Sequence, residues 1–267
     1  MKYPKSAAIL LLTTTVFGSQ VAAQDTASGQ IAQNRANNEG VNNGTNPTLL
    51  STKAGIQYQY NQINSSLNAG LWEAFFTVPF GAKKNMALEL TLPYANGALI
   101  SSYGLGDVSL KFVHVVDVNA KRGLAYTAEY FADTADRPGL GNGQDVLELS
   151  AFYAMFHKNG GIFAPAWVQT VGLEGNGSTG SKINRTTIDF YYVPKLSNPK
   201  YFMTLDPALV YDWETEKGFA SLQVTFGMLT GKAFGGDSQV FIKPGIYAGK
   251  DRPLDFSLQV GYKVLNF

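Results

Sequence analysis

The chain has 267 residues, no cysteine, two histidines and a formal net charge of +1, with 13% aromatic and only 15% charged residues. An average soluble domain carries about a quarter charged residues, and a near-neutral chain offers no strongly basic surface for nucleic acid. Lack of cysteine excludes thiolate zinc sites, iron–sulfur clusters, cysteine nucleophiles and disulfide scaffolds, and two histidines leave little for a histidine metal site.

Lys2 and Lys5 precede an apolar stretch that runs from Ala7 to about Phe17, and Val21-Ala22-Ala23 supplies small residues before Gln24. This layout predicts a secretory signal peptide over 1–23, because the apolar part is too short to span a membrane. Residues 24–52 are Asn/Gln-rich, with Asn37-Asn38, Asn42-Asn43-Gly44 and Asn46-Pro47. They hold few large apolar residues and are expected to form an extended or loosely packed arm.

From Lys53 the pattern changes to period two. Leu222, Val224, Phe226 and Met228 alternate with Ser221, Gln223, Thr225 and Gly227. Phe256, Leu258, Val260, Tyr262 and Val264 alternate with Ser257, Gln259, Gly261 and Lys263. Successive side chains of a strand point to opposite faces, so each segment has one apolar and one polar face. Twelve such segments lie near 53–61, 70–79, 86–93, 107–117, 123–132, 145–156, 161–172, 185–195, 201–212, 218–229, 238–249 and 254–267. Their length and even number fit tilted membrane-spanning strands, so the fold expected over 53–267 is an all-β, antiparallel transmembrane barrel of about twelve strands. Almost no helix is expected.

With both ends of the barrel segment on the periplasmic side, the periplasmic turns are 81–85, 119–122, 158–160, 196–199 and 230–237. The opposite connections include 94–106, 133–144 and 174–184, which are longer and Gly/Ser/Asn-rich. Short turns on one side and long loops on the other are the outer-membrane arrangement. Phe267 supplies the terminal aromatic that barrel assembly machinery reads, although its parity is opposite to that of Phe256–Val264. A bulge near Leu265 or a shifted register would account for it.

The polar parity carries Glu73, Glu89, Lys111, Glu129, Glu148, Asp189, Asp206, Asp212, Lys243 and Lys263. Charges on a lipid face cost energy, so this face is expected to line the lumen, with seven acids against three bases. Phe131, Phe152, Tyr191, Phe241 and Tyr247 share that parity. Trp72, Trp213, Tyr58, Tyr60, Tyr192, Tyr201, Tyr211 and Tyr262 lie on the other, where amphipathic rings anchor at the headgroups. Gly175-Asn176-Gly177-Ser178-Thr179-Gly180 spells a dinucleotide fingerprint, but a strand-like segment follows it where a helix is required, so it reads as a surface loop. His114 falls on the lipid-facing parity and His157 at a turn, so neither suits a nucleophile–base pair at the outer rim. No catalytic residue, metal ligand or cofactor is expected.

Asn46-Pro47, Leu90-Thr91-Leu92-Pro93, Gly104-Leu105-Gly106-Asp107-Val108-Ser109-Leu110, Leu140-Gly141-Asn142-Gly143, Asp212-Trp213 and Gly231-Lys232-Ala233-Phe234 stand in that order. In these motifs the stretch from Asn46 to Phe267 resembles a bacterial family named after the MetA pathway of phenol degradation. The resemblance implies an outer-membrane barrel that transports small, hydrophobic or aromatic molecules, and it brings no catalytic residues. The expected partners are outer-membrane lipids, the assembly machinery and small solutes. A barrel enzyme acting on lipids and a structural barrel with a plugged lumen are the rival functions.

Overall fold

A computed structural model describes residues 43–174 and 182–267. Its strands are β1 (Lys53–Gln62), β2 (Asn68–Phe80), β3 (Met86–Gly97), β4 (Ile100–Leu105), β5 (Ser109–Val118), β6 (Arg122–Phe131) and β7 (Val146–Phe156), followed by β8 (Ile162–Gly172), β9 (Asn184–Val193), β10 (Tyr201–Asp212), β11 (Lys217–Ala233), β12 (Gly236–Ala248) and β13 (Phe256–Leu265). Every pairing is antiparallel, and β1 pairs with both β2 and β13. The β2–β3 pairing then closes a ring of twelve strands, which leaves β4 outside as a short ribbon on β3. Closure leaves the twelve-stranded ring without a free edge, the condition for strands in a medium that cannot hydrogen-bond. No helix occurs among the described residues.

Alternation fixes the two faces. On β3, Leu88, Leu90, Leu92 and Tyr94 are exposed while Ala87, Glu89 and Ala95 are buried. The same holds on β10, where Leu209 and Tyr211 face out and Phe202, Thr204, Asp206, Ala208 and Val210 are buried. A surface of exposed leucine, valine, isoleucine and aromatic side chains around the whole wall is what lipid solvates and water does not. The chain is an outer-membrane β-barrel. Trp72, Tyr201, Tyr211 and Trp213 are among the exposed rings, Tyr58 packs 4.8 Å from Trp72, and Tyr211 meets Trp213 edge-on at 4.8 Å.

Four local features differ from the sequence reading. Residues 94–106 are not a plain loop: β3 continues to Gly97 and returns as β4, with an irregularity between Ala95 and Gly97. Residues 230–237 are not a turn either. After a register shift between Leu229 and Gly231, β11 and β12 run on as a ribbon to the Phe234–Gly235 turn, where both residues have positive φ. At the C-terminus there is neither a bulge nor a slipped register. Asn266 takes φ 59, and this left-handed step swings Phe267 onto the outer face, 6.3 Å from the Phe76 ring. Asn tolerates that conformation better than most residues. Finally, residues 43–52 are not a loose arm: Thr45, Thr48, Leu50 and Ser51 are all buried. The signal-peptide reading, residues 24–42 and the Gly175–Gly180 motif lie outside the described residues.

Val260 is 42% exposed on the outer face, opposite Tyr58 of β1 and Ile242 of β12. Arginine near the midplane of a lipid face costs about 2–4 kcal/mol. Val260→Arg is therefore expected to lower the folded fraction, read as the heat-modifiable band on unboiled gels, whereas Gln259→Arg on the inner face should lower it less.

Candidate functional site: the barrel interior

The ring of strands brings the polar parity together inside. Glu73, Glu89, Lys111, Glu129, Asp189, Asp206, Lys243 and Lys263 are each at most 7% exposed. Glu148 is half-buried and accepts a hydrogen bond from Thr170 Oγ1 at 2.9 Å. Asp212 sits at the loop-bearing rim, where its Oδ1 accepts from the N–H groups of Glu214 and Thr215 and from Thr215 Oγ1. It caps the β10–β11 turn.

Strand register arranges these groups into one row. Lys53 pairs with Thr77, Thr77 with Glu89, Glu89 with Lys111 and Lys111 with Glu129. Glu129 pairs with Glu148, then Thr170, Arg185, Asp212 and Lys217 follow on successive strands. Barrel strands tilt by about 35–45°, so a row of cross-strand neighbours climbs the wall instead of circling it. This one starts at the first residue of β1, beside the chain ends, and reaches the first residue of β11 at the opposite rim. Burial falls along it, from Lys53 at 1% to Lys217, which is exposed.

The lower half of the row is a continuous chain of opposite charges. Lys53 Nζ lies 2.8 Å from Glu89 Oε2, and Lys111 Nζ lies 3.9 Å from Glu89 and 2.7 Å from Glu129. Thr77 Oγ1 donates to Glu89 at 2.5 Å and Ser109 Oγ to Glu129 at 2.7 Å. Two cations and two carboxylates cancel, and neighbouring hydroxyls take up further lone pairs. Buried charge is tolerated on those terms. Across the barrel, Asp189 faces Asp206, which Lys243 approaches at 3.4 Å. The Lys263 ammonium lies 5.8 and 5.4 Å from the ring centres of Phe202 and Phe241.

Lys53 and Arg185 are charged residues of the same inward row that the sequence reading passed over. Both share the polar parity, Lys53 with Gln57 and Gln59 and Arg185 with Thr187 and Asp189, but each stands at a strand's start. Counting them, seven inward acids meet five bases. The negative excess is smaller than alternation from the centre of each strand had indicated.

Residues 43–52 lie within this interior at the end that bears the termini. Leu50 packs in one cluster with Ala87, Val113, Val115, Ala125, Phe152 and Ala166, drawn from β3, β5, β6, β7 and β8. Membership in a cluster of inward-facing residues from five strands places Leu50 inside the ring. Tyr191 Oη donates to Thr45 O at 3.1 Å, and Gln239 Nε2 donates to Asn43 O at 3.2 Å. The segment satisfies its own polar groups: Asn43 Oδ1 accepts from the N–H and hydroxyl of Thr45, and Asn46 Oδ1 from those of Thr48. Two Asn-x-Thr steps thus let a polar strand of chain enter a confined space. Gly123 makes the approach possible, since a Cβ there would collide with the Thr48 methyl.

The opposite mouth is covered by residues 132–145. Leu105 N–H donates to Asp136 Oδ2 at 2.6 Å, Val108 N–H to Thr134 Oγ1 at 2.9 Å, and Asn142 N–H to Asp107 Oδ2 at 2.5 Å. Leu140 and Gln144 are buried beneath this cover. Burial pushes the Asp107 carboxyl above its usual range, with nearby Asp133 adding to the effect against the pull of the Asn142 N–H. A cavity of about 30 Å³ lies under the cover. On the outer face His114 Nδ1 is 2.8 Å from Tyr126 Oη, an aromatic pair at the lipid boundary.

No family model matches the chain, and no curated protein does. The fold is similar to the COG4313 outer membrane channel from Pseudomonas putida F1, with TM-score 0.64 and 14% identity over 80% of this chain and 95% of that one. It is also similar to the NanC porin, with TM-score 0.56 and 10% identity over 81% of this chain and the whole of that one. The transport unit of the autotransporter AIDA-I from Escherichia coli gives TM-score 0.50 and 10% identity over 88% of this chain. These likenesses establish a channel-type barrel fold.

Proposed function

We propose that this chain is an outer-membrane channel for small solutes, narrowed at its periplasmic end by residues 43–52 and at its external mouth by residues 132–145. The observation that carries this reading is the charged row from Lys53 to Lys217. Inside an apolar-walled barrel, ionic groups spaced from rim to rim supply a polar path, and a barrel needed only as a scaffold could be filled with apolar side chains at less cost. The inner carboxylates exceed the inner cations, so the path favours cations over anions. The resemblance to the MetA-pathway family adds a solute class, small neutral aromatics. A phenol, with a pKa of about 10, stays neutral at pH 7 and escapes the exclusion of anions. Phe131, Phe152, Tyr191, Phe241 and Tyr247 offer it inward ring surface. Export by a signal peptide over 1–23 and insertion by the barrel assembly machinery complete the proposal. The reading assigns no catalytic step.

Reversal potentials across planar bilayers under a salt gradient test it. Cation preference is expected, and replacing Glu129, Glu148, Asp189 and Asp206 with Gln or Asn should weaken it. The difference should shrink at high salt, where the Debye length falls from about 10 Å at 0.1 M to about 3 Å at 1 M. Vesicles carrying the protein should admit phenol faster than benzoate. Anion preference in the unmodified protein would overturn the selectivity, and absence of any current would establish the plugged, structural barrel.

A further inference from the structure

The two ends of the barrel carry opposite charge. At the end that bears the described chain ends, the connections 81–85, 119–121, 157–161, 194–200 and 234–235 hold six lysines and no acid. At the other end, 106–108, 132–145, 173–174, 182–183, 213–216 and 249–255 hold nine acids against four bases. In the outer-membrane arrangement the short turns face the periplasm, so the basic end meets the inner leaflet.

All six lysines are exposed, and they are spread round the wall. Lys83 and Lys84 stand between β2 and β3, Lys121 between β5 and β6, Lys158 between β7 and β8, and Lys195 and Lys200 between β9 and β10. These strands are consecutive in the ring, so the lysines occupy successive turns about 10 Å apart, two strand spacings. The strand cations beside them are matched locally: Arg122 lies 3.4 Å from Asp117 and Lys232 2.7 Å from Asp237. The excess positive charge therefore belongs to the turns. One of its members is held at a backbone cost, since Lys84 takes φ 46, a left-handed conformation that Gly or Asn adopts more easily. Lipid is the neighbour within reach. Phe80 at the end of β2 and Tyr201 at the start of β10 are 38% and 45% exposed on the outer face, and exposed Val118 and Leu124 flank Lys121. A lysine stem lies along such an apolar surface while its ammonium reaches the phosphates. A soluble acidic partner would need the cations gathered on one sector, and they are not.

We propose that the turn lysines bind the phosphodiester groups of anionic glycerophospholipids in the inner leaflet, and so hold an annulus of anionic lipid round the periplasmic rim. One basic residue at an anionic membrane surface favours association about fivefold, so a lipid that engages two of them gains well over tenfold. Lys83 with Lys84, and Lys195 with Lys200, supply two from a single turn. The acid excess at the opposite rim disfavours the same lipids there, which makes the binding one-sided.

Native mass spectrometry of the purified barrel, released from detergent micelles doped equally with cardiolipin and phosphatidylethanolamine, tests this directly. The wild type is expected to retain cardiolipin about tenfold over phosphatidylethanolamine from 0.1 M ammonium acetate. The preference should fall below about twofold at 1 M, where the Debye length shortens to about 3 Å. A combined variant, Lys83→Gln, Lys121→Gln, Lys158→Gln, Lys195→Gln and Lys200→Gln, leaves Lys84 and every strand intact and should lose the preference to the same extent. Lys182→Gln with Lys250→Gln, at the opposite end, should keep it. Both variants are verified as folded by their gel shift, and the salt series on the wild type needs neither. Equal retention of the two lipids by the wild type would overturn the proposal and leave the lysines to a soluble acidic partner. A preference that survives the five substitutions, or 1 M salt, would overturn the assignment to these turns. Neither measurement needs an ionic current, so the result stands or falls apart from the channel reading.

Discussion

Deleting residues 24–52 is expected to raise single-channel conductance several-fold and to leave the barrel intact. Of the deleted stretch, the described residues 43–52 contribute Leu50 to the interior and the carbonyls of Asn43, Thr45 and Thr52 to Gln239, Tyr191 and Asn266, and they include no strand and no ion pair. Within 43–52 the apolar hold on the wall is Leu50. Leu→Ala in a packed cluster costs about 2–5 kcal/mol, more than a ten-residue polar segment keeps in reserve, so Leu50→Ala alone should produce frequent large openings. Gly123→Leu is a control from the other side: it fills the space of the Thr48 methyl and should release the segment without altering it. Conductance unchanged in all three variants would show that the segment does not limit the passage.

The second large effect concerns Glu89. It stands between Lys53 and Lys111, with side chains 1% and 9% exposed, and accepts from Thr77 as well. Glu89→Ala removes the carboxylate that both buried ammonium groups approach. Removing one partner of a buried ionic set costs about 3–5 kcal/mol, most of it from the charges left behind. The variant is expected to unfold at clearly lower urea concentration than wild type, read as loss of the heat-modifiable band. Replacing Lys53, Glu89, Lys111 and Glu129 together with methionine should recover most of that loss, because none of the four charges is then stranded. A single variant as stable as wild type would mean that the network is solvated and open.

The strands were legible because a membrane barrel enforces period two over a fixed length. On β10 the observed span, Tyr201–Asp212, coincides with the apolar alternation at 201–212, and β1 and β7 differ by one residue at an end. Where alternation gave way to glycine and polar residues, the reading stopped short. Gly231, Gly235 and Gly236 made the β11–β12 ribbon look like a turn, and Asn96-Gly97 hid the β3–β4 hairpin. Lys53 and Arg185 followed the parity rule but stood at strand ends, where the alternation has no flank on one side.

The interior contacts were of another kind. Thr45 meets Tyr191 and Asn43 meets Gln239 across most of the chain, and no local pattern encodes such pairs. The polar composition of 43–52, read as reluctance to pack, is instead a way of packing, since each Asn side chain satisfies the Thr two residues on. Gly104–Leu110 and Leu140–Gly143 were visible as separate motifs, but only the fold brings Asp107 against Asn142.

The central claim is a solute path through the interior, past the row from Lys53 to Lys217. The chain has no cysteine, so single substitutions report without background. Ser150 faces inward at 6% exposure, while neighbouring Leu149 faces out at 41%. In a planar bilayer, a small charged methanethiosulfonate reagent is predicted to change the current of Ser150→Cys in stepwise fashion, most readily when residues 24–52 are absent, and to leave Leu149→Cys untouched. Current through Ser150→Cys that ignores the reagent from both sides, in the deleted as well as the intact chain, would contradict the account.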